Sequence, residues 1–236
     1  MNIACIIPAR GGSKGIPNKN IMPFAGYPLI YWSIAQALET KSINCGVYVS
    51  SDSDKILELT KTFGAIPIQR PKKLSSDIAT SESALIHAVE KISYQYALDA
   101  IVFLQATSPL RLENDIENGI QWFINKKYDS LFSATKIEDF LIWNQSAKGL
   151  ESFNYDYKNR QRRQDMVPQY VENGSFYIFN PYKLQQYKNR LYGNIGAYIM
   201  SSWSVHEIDT PDDLELCEYL FKKNKLNQRS TYDIRT

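Results

Sequence analysis

An apolar run, Ile3–Ile7, ends at Pro8 and opens directly into Ala9-Arg10-Gly11-Gly12-Ser13-Lys14-Gly15-Ile16-Pro17-Asn18-Lys19-Asn20. Arg10, Lys14 and Lys19 place three cations within ten positions, and no Asp or Glu occurs before Glu39. Gly11, Gly12 and Gly15 let the backbone come close to a ligand and turn its N–H groups toward it. Backbone donors reinforced by Arg and Lys suit a triphosphate. The spacing matches neither the P-loop nor the dinucleotide glycine fingerprint. The competing reading is a solvated basic turn, but a glycine-rich turn placed directly after a buried first strand favours phosphate chemistry.

Other residues bear on the same chemistry. Glu207 and Asp209 are spaced i, i+2, so on an extended segment both carboxylates point to one face, as two ligands of one hard cation should. Alternatively, they are acids favoured by the dipole of the helix that follows. Gln105 comes just after a short apolar run and before Ala106-Thr107-Ser108-Pro109. Arg160, Arg162 and Arg163 form a basic cluster, which in a loop is commonly solvated and sometimes binds nucleic acid. His87 and His206 have no triad-like company, and no nucleophile stands out.

The elements that must position these residues follow from periodicity. Ile3–Ile7, Val47–Val49 and Ile101–Leu104 read as buried strands. Leu29–Leu38, the Ile56/Leu59/Thr60/Phe63 set and Leu85/Ala88/Val89/Ile92 read as helices, with Gly64 placed as a helix terminator. This rhythm predicts an α/β fold, a mostly parallel sheet with helices on both faces, whose ligands bind beyond the C-terminal ends of the strands. The rhythm breaks after Ser133, and 135–172 reads as a polar insertion into a single domain spanning 1–236. Ser175–Phe179 and Ile195–Met200 return to strand character. Thr210-Pro211-Asp212-Asp213 reads as a capping box with Pro at the first helical position, opening a helix that buries Leu214, Cys217, Leu220 and Phe221. The tail 222–236 reads as polar and frayed.

Composition excludes several classes. A hydrophobic content of 44% supports a full core without disulfides, and Cys5, Cys45 and Cys217 show no metal-type spacing. No apolar run approaches the roughly 20 residues of a membrane span, and the first residues lack a secretion pattern. A cytoplasmic protein with no membrane partner is expected. The net charge of +2 argues neither for nor against a polyanionic ligand.

The loop Ala9–Asn20 resembles the N-terminal signature of the acylneuraminate cytidylyltransferase family, the CMP-sialic acid and related CMP-nonulosonate synthetases. The resemblance continues through Arg70-Pro71, Ser76-Asp77-x-x-Thr80-Ser81, Gln105–Pro109, Arg162-Arg163-Gln164-Asp165, Glu172–Tyr177 and Glu207–Thr210, covering about residues 3–215. It implies a Rossmann-like nucleotidyltransferase fold and transfer of CMP from CTP to a nine-carbon acidic sugar. N-acetylneuraminic acid or a close relative such as legionaminic acid is the expected acceptor. Pseudaminic acid or an eight-carbon ulosonic acid is the alternative, and a non-enzymatic nucleotide- or RNA-binding module is disfavoured by the absence of aromatic–basic stacking motifs.

By this resemblance Arg10, Lys19 and Asn20, with Gly11, Gly12 and Lys14, hold the triphosphate and poise the leaving pyrophosphate. Arg70, Ser81 and Gln105 lie around the nucleotide. Gln105, Arg163, Gln164, Asn173 and Tyr177 meet the sugar, whose carboxylate a guanidinium can grip bidentately. Mg²⁺ is the implied cofactor, held by Asp209. The family pattern there is Asp-x-Asp, and Glu-Ile-Asp departs from it, so Glu207 could act through a water. Arg10, Lys19 and Asp209 form the expected catalytic set. A homodimer is implied, the inserted segment lending residues to the neighbouring sugar site, with no nucleic acid partner.

Overall fold

The computed structural model describes residues 1–13, 15–76, 78–138 and 140–227. In chain order the elements are β1 (Ile3–Pro8), β2 (Pro23–Phe24), β3 (Tyr27–Pro28), α1 (Leu29–Glu39), β4 (Val47–Ser51), α2 (Asp54–Thr62), β5 (Ile66–Gln69), α3 (Ser81–Ser93) and β6 (Ala100–Leu104). There follow α4 (Asp115–Lys126), β7 (Ser130–Ile137), β8 (Trp143–Ser146), β9 (Gly149–Ser152), β10 (Gln169–Phe179), α5 (Pro181–Tyr187), β11 (Ile195–Met200) and α6 (Pro211–Lys223).

Seven strands make one sheet in the order β11-β7-β10-β6-β1-β4-β5. All run parallel except β10, which is antiparallel to both β6 and β7. Buried on both faces, β1, β4 and β6 are near-continuous apolar runs, the pattern that betrayed them in the sequence. One face packs against Ile30 and Ile34 of α1, Ile56 of α2 and Ile116, Ile120 and Phe123 of α4. The other packs against Leu85, Ala88 and Val89 of α3 and Leu184 of α5. A third cluster joins α1 to α6 through Phe24, Trp32 and Phe221, with the Trp32 and Phe221 rings 4.6 Å apart. Cys5, Cys45 and Cys217 are free thiols buried in these clusters.

Gly64 has a φ of +81°, ending α2 as expected. The capping box at Thr210 is present, with Thr210 accepting from the Asp213 N–H and the Asp213 carboxylate accepting from the Thr210 N–H. The expected insertion is rooted differently. β7 continues to Ile137 and β10 begins at Gln169, so 135–137 and 169–172 are ladder and the excursion is 138–168. Polar residues there concealed a strand pair, because a ladder needs backbone groups more than apolar side chains. The excursion carries the β8–β9 hairpin and is tied together by Asn154, which donates to the Phe140 carbonyl and to Gln169 Oε1. The polar tail is also not wholly loose, since Leu226 is buried beside Phe221. Residues 228–236 lie outside the described residues.

Candidate active site

The C-terminal ends of β1 and β6 open into a cleft of about 260 Å³ lined by Arg10, Ser13, Gly15, Lys19, Asn20, Ser81, Phe103, Gln105, Thr107 and Asp209, among others. The glycine loop is braced from behind. Gly11 donates its N–H to Asp52 Oδ1 at 3.0 Å, and a Cβ on Gly11 would lie 2.9 Å from Ser53 Cβ, so this glycine is required for close approach to the β4–α2 turn. Its N–H is therefore held within the chain, whereas Gly12 borders open space. A Cβ on Gly15 would collide with the Asp209 carbonyl, which brings the loop against the last segment of the site. Asn20 is buried and donates to the Arg10 carbonyl at 3.0 Å, fixing the start of the loop. Lys14 lies outside the described residues.

Asn18, in the left-handed region at φ 56°, turns the chain into a short 3₁₀ segment that begins with Lys19. The Lys19 Nζ reaches Asp209 Oδ1 at 2.7 Å, joining residues 190 positions apart. Asp209 is held from its own side. Its N–H donates to the capping carboxylate Asp213, whose pKa the Thr210 hydrogen bonds pull down, and the neighbouring Ile208 N–H donates to the Thr107 carbonyl. The Asp209 side chain is 71% exposed. Glu207 turns instead toward Gly174 and Gln105. Burial, and then the Asp209 charge, raise its pKa, while Lys19 opposes them.

Gly174 explains that turn. Between Glu172 and Tyr177 the β10–β7 register shifts, leaving a bulge with Gly174 at φ +65°. A Cβ there would strike both Glu207 Oε1 and Gln105 Nε2. Gln105 donates its side-chain amide to the Gly174 carbonyl at 2.6 Å.

Beneath this point lies Arg111, fully buried, which the sequence reading missed. Its guanidinium donates to the Gln105 carbonyl (2.8 Å), the Ser175 carbonyl (2.6 Å), Ser33 Oγ and Gln36 Oε1. Its position two residues past Pro109 was the available signal. Asp52 was missed as well.

Arg70 is 5% exposed and 4.0 Å from Asp52, and among the described residues its Nε and Nη2 make no hydrogen bond. Burial lowers its pKa, Asp52 opposes this, and Arg10 adds repulsion. Ser81 opens α3 at the cleft, just after the cap Thr80. Asn173, expected on the sugar, requires a correction. It is buried, accepts from Ser133 Oγ and the Ser175 N–H, and donates to Ser204 Oγ and Met200. A bulge leaves backbone groups out of the ladder, and this amide replaces their partners. Tyr177 is also buried, stacked on Phe103, with its hydroxyl donating to Glu172.

Arg163 and Gln164 are not in the cleft of their own chain. Arg163 pairs with Glu138 on the excursion, and both residues line a separate cavity of about 380 Å³ with Phe140, Met166 and Val167. The linings of the two cavities share no residue.

The fit to Mg²⁺ rests on the donor set. Among the described residues no group of three or more His, Cys, Asp or Glu forms a closed metal site. Mg²⁺ is commonly bound by one or two carboxylates plus substrate phosphates, which the exposed Asp209 beside a basic loop accommodates.

A cleft at the strand ends of a mostly parallel sheet, rimmed by a basic glycine loop and an opposed carboxylate, defines an α/β nucleotidyltransferase. The solved CMP:2-keto-3-deoxy-manno-octonic acid synthetase complexed with CTP superposes with a TM-score of 0.72 over 95% of this chain and all of that one, at 18% identity, and so shares the fold. Residues 4–232 match the cytidylyltransferase family, and the chain belongs to it. It is 36% identical to the pseudaminic acid cytidylyltransferase of Campylobacter jejuni, over 95% of this chain and 98% of that protein. It is 35% identical to the N-acylneuraminate cytidylyltransferase of Oncorhynchus mykiss over 92% of this chain, spanning 50% of that longer protein.

Proposed function

We propose that this cytidylyltransferase transfers CMP from CTP to a nine-carbon nonulosonic acid, with N-acetylneuraminic acid or a close relative such as legionaminic acid as acceptor. The observation that carries the reading is the Lys19–Asp209 contact, which sets a cation and an exposed carboxylate together at the mouth of the glycine loop. A second reading, pseudaminic acid, is favoured by the Campylobacter relative, which this chain matches over almost its full length.

In either reading the acceptor's anomeric hydroxyl attacks the α-phosphorus of CTP in line. The new O–P bond forms as the bond to the β-phosphate oxygen breaks, pyrophosphate leaves, and the hydroxyl proton is released to water. Such transfer depends chiefly on positioning and charge neutralisation. Arg10 and Lys19 neutralise the triphosphate, Gly12 leaves room for close approach, and Asn20 and Asp52 keep the loop from shifting. Arg70, buried with donors unmet, meets the nucleotide, and Gln105 separates nucleotide from sugar. Asp209 would hold Mg²⁺, which would supply further charge neutralisation of the phosphates.

The sugar carboxylate is assigned to Arg163 and Gln164 of a second subunit. Phe140, Leu150, Phe153 and Val167 of the excursion are 63–80% exposed, an apolar set that a two-fold partner would cover. Among the described residues no helix is long and apolar enough to cross a membrane, and we place the reaction in the cytoplasm, where CTP is made.

The test is pyrophosphate release from CTP with a panel of nonulosonic and eight-carbon ulosonic acids, with and without Mg²⁺. Metal-dependent release with a sialic-type acid is expected. Preference for pseudaminic acid selects the second reading, and no release with any nine-carbon acid overturns both.

A further inference from the structure

We infer that Arg190 determines acceptor specificity, donating its two Nη groups to an uncharged oxygen substituent at the far end of the sugar; this rests on the nonulosonic acid reading above. No motif in the sequence marks Arg190, which follows α5 in a Lys-Asn-Arg turn. In the fold its guanidinium lies 4.5 Å from the Tyr177 ring and 5.1 Å from the Phe103 ring, covering the cross-strand pair that joins β10 to β6. Its Nε is 3.0 Å from Glu82 Oε1, and the two side chains are 21% and 20% exposed. Among the described residues neither Nη1 nor Nη2 makes a hydrogen bond. The arrangement is a planar fork with a fixed stem, a compensated charge and free donors.

Its location connects it to the acceptor. Phe103 lines the cleft, and Glu82 adjoins Ser81, which also lines it. At about 260 Å³ the cleft is smaller than the roughly 300–1,000 Å³ of sites that enclose a drug-sized ligand, so nucleotide and sugar together extend past its lining. Arg10 and Arg70 stand at the ends of β1 and β5, on one side of β6, which puts the nucleotide there. The acceptor therefore extends toward β10, on the opposite side of β6. Arg190 is a cation on that side, stacked over Phe103 and Tyr177.

The chemistry of the acceptor decides what it meets. In a nonulosonic acid the carboxylate is carried by the anomeric carbon, the atom whose hydroxyl attacks phosphorus, so the carboxylate stays at the reacting end, away from Arg190. The distant C5–C9 segment carries hydroxyls and acylamido groups. A guanidinium already paired with Glu82 is suited to such neutral acceptors, and a site built to hydrogen-bond a substituent discriminates strongly against analogues lacking it. Arg190 thus reads the part of the molecule in which these acids differ.

The experiment measures steady-state kinetics of Arg190→Met and Arg190→Lys with the best acceptor and with its analogue lacking the acylamido group. For Arg190→Met the acceptor KM should rise roughly 10–100-fold, the range for a lost charged hydrogen bond, with the CTP KM within about twofold of wild type. The preference for the acylated acceptor should shrink. Arg190→Lys keeps a cation over the rings without the planar fork and should show a smaller change in the same direction. If Arg190→Met unfolds because the rings lose their cover, Arg190→Lys alone is read. Unchanged acceptor KM and preference, or a rise confined to the CTP KM, overturns the assignment. Failure of the wild type to use any nonulosonic acid would instead sink the proposed function, so the two failures are distinguishable.

Discussion

The cleft and the excursion are built on opposite terms. Around the cleft, turns are closed within the chain: Gly11 by Asp52, Asn20 onto Arg10, Asp209 by Asp213, and Gln105 from below by Arg111. The excursion is held by a short hairpin and the Asn154 network, and it leaves Val167 80% exposed beside a cavity containing Arg163 and Gln164. A nucleotide site can be preorganised by one chain because its contacts are local to the strand ends. On the proposed reading, an acceptor site that takes its cation from the excursion would be completed only by a second subunit.

The largest effect should come from the cleft. Asp209→Asn is expected to lower kcat by at least about 10³-fold, roughly 4 kcal/mol, with metal-dependent CTP binding weakened. Its melting temperature should stay near wild type, because a carboxylate this exposed adds little to stability. Full activity at limiting Mg²⁺ would remove Asp209 from the chemistry.

Arg111→Met tests whether the bracing is itself structural. It leaves the Gln105 and Ser175 carbonyls without these donors, at an expected cost of about 3 kcal/mol in urea unfolding. A loss below about 1 kcal/mol would mean that the loop is held by its other contacts without Arg111.

Arg163→Ala addresses the other half of the comparison. The acceptor KM is expected to rise about 10–100-fold, about 1.4–2.7 kcal/mol, with the CTP KM unchanged. Mixed with inactive Asp209→Asn under subunit exchange, it should restore a fraction of activity through one intact hybrid site. Background activity in demonstrated heterodimers would show that each site is completed within one chain.

The smallest effect concerns Glu207. Its folded pKa is raised by burial, so its stabilising contribution is complete below the unfolded carboxylate pKa and is lost as pH rises through the folded value. In metal-free protein, Glu207→Gln should therefore raise the melting temperature slightly at neutral pH and converge with wild type in acid. A lower melting temperature at neutral pH would mean that the attraction to Lys19 outweighs desolvation.

Much of the nucleotide half was legible because its signals are local. Glycines beside cations, a strand closed by Pro8, and a Thr-Pro-Asp-Asp cap each declare themselves within a few residues, and the cleft brings together Arg10, Lys19, Asn20, Ser81, Gln105 and Asp209. The acceptor half was less legible. Asn173, beside a glycine, reads like a ligand amide, yet the β10 bulge turns it inward to replace ladder partners. Arg111 and Arg190 had no local pattern at all.

By itself the sequence determined the mostly parallel sheet, the glycine loop and the capping box at Thr210, since periodicity and turn chemistry act over a few residues. Only the tertiary structure decided that Lys19 meets Asp209, that Gly174 turns Glu207 toward Gln105, that Arg111 lies under the site, and that Arg163 stays away from its own cleft. Those outcomes depend on strand order and register, which bring together residues far apart in the chain and are written in no single stretch of it.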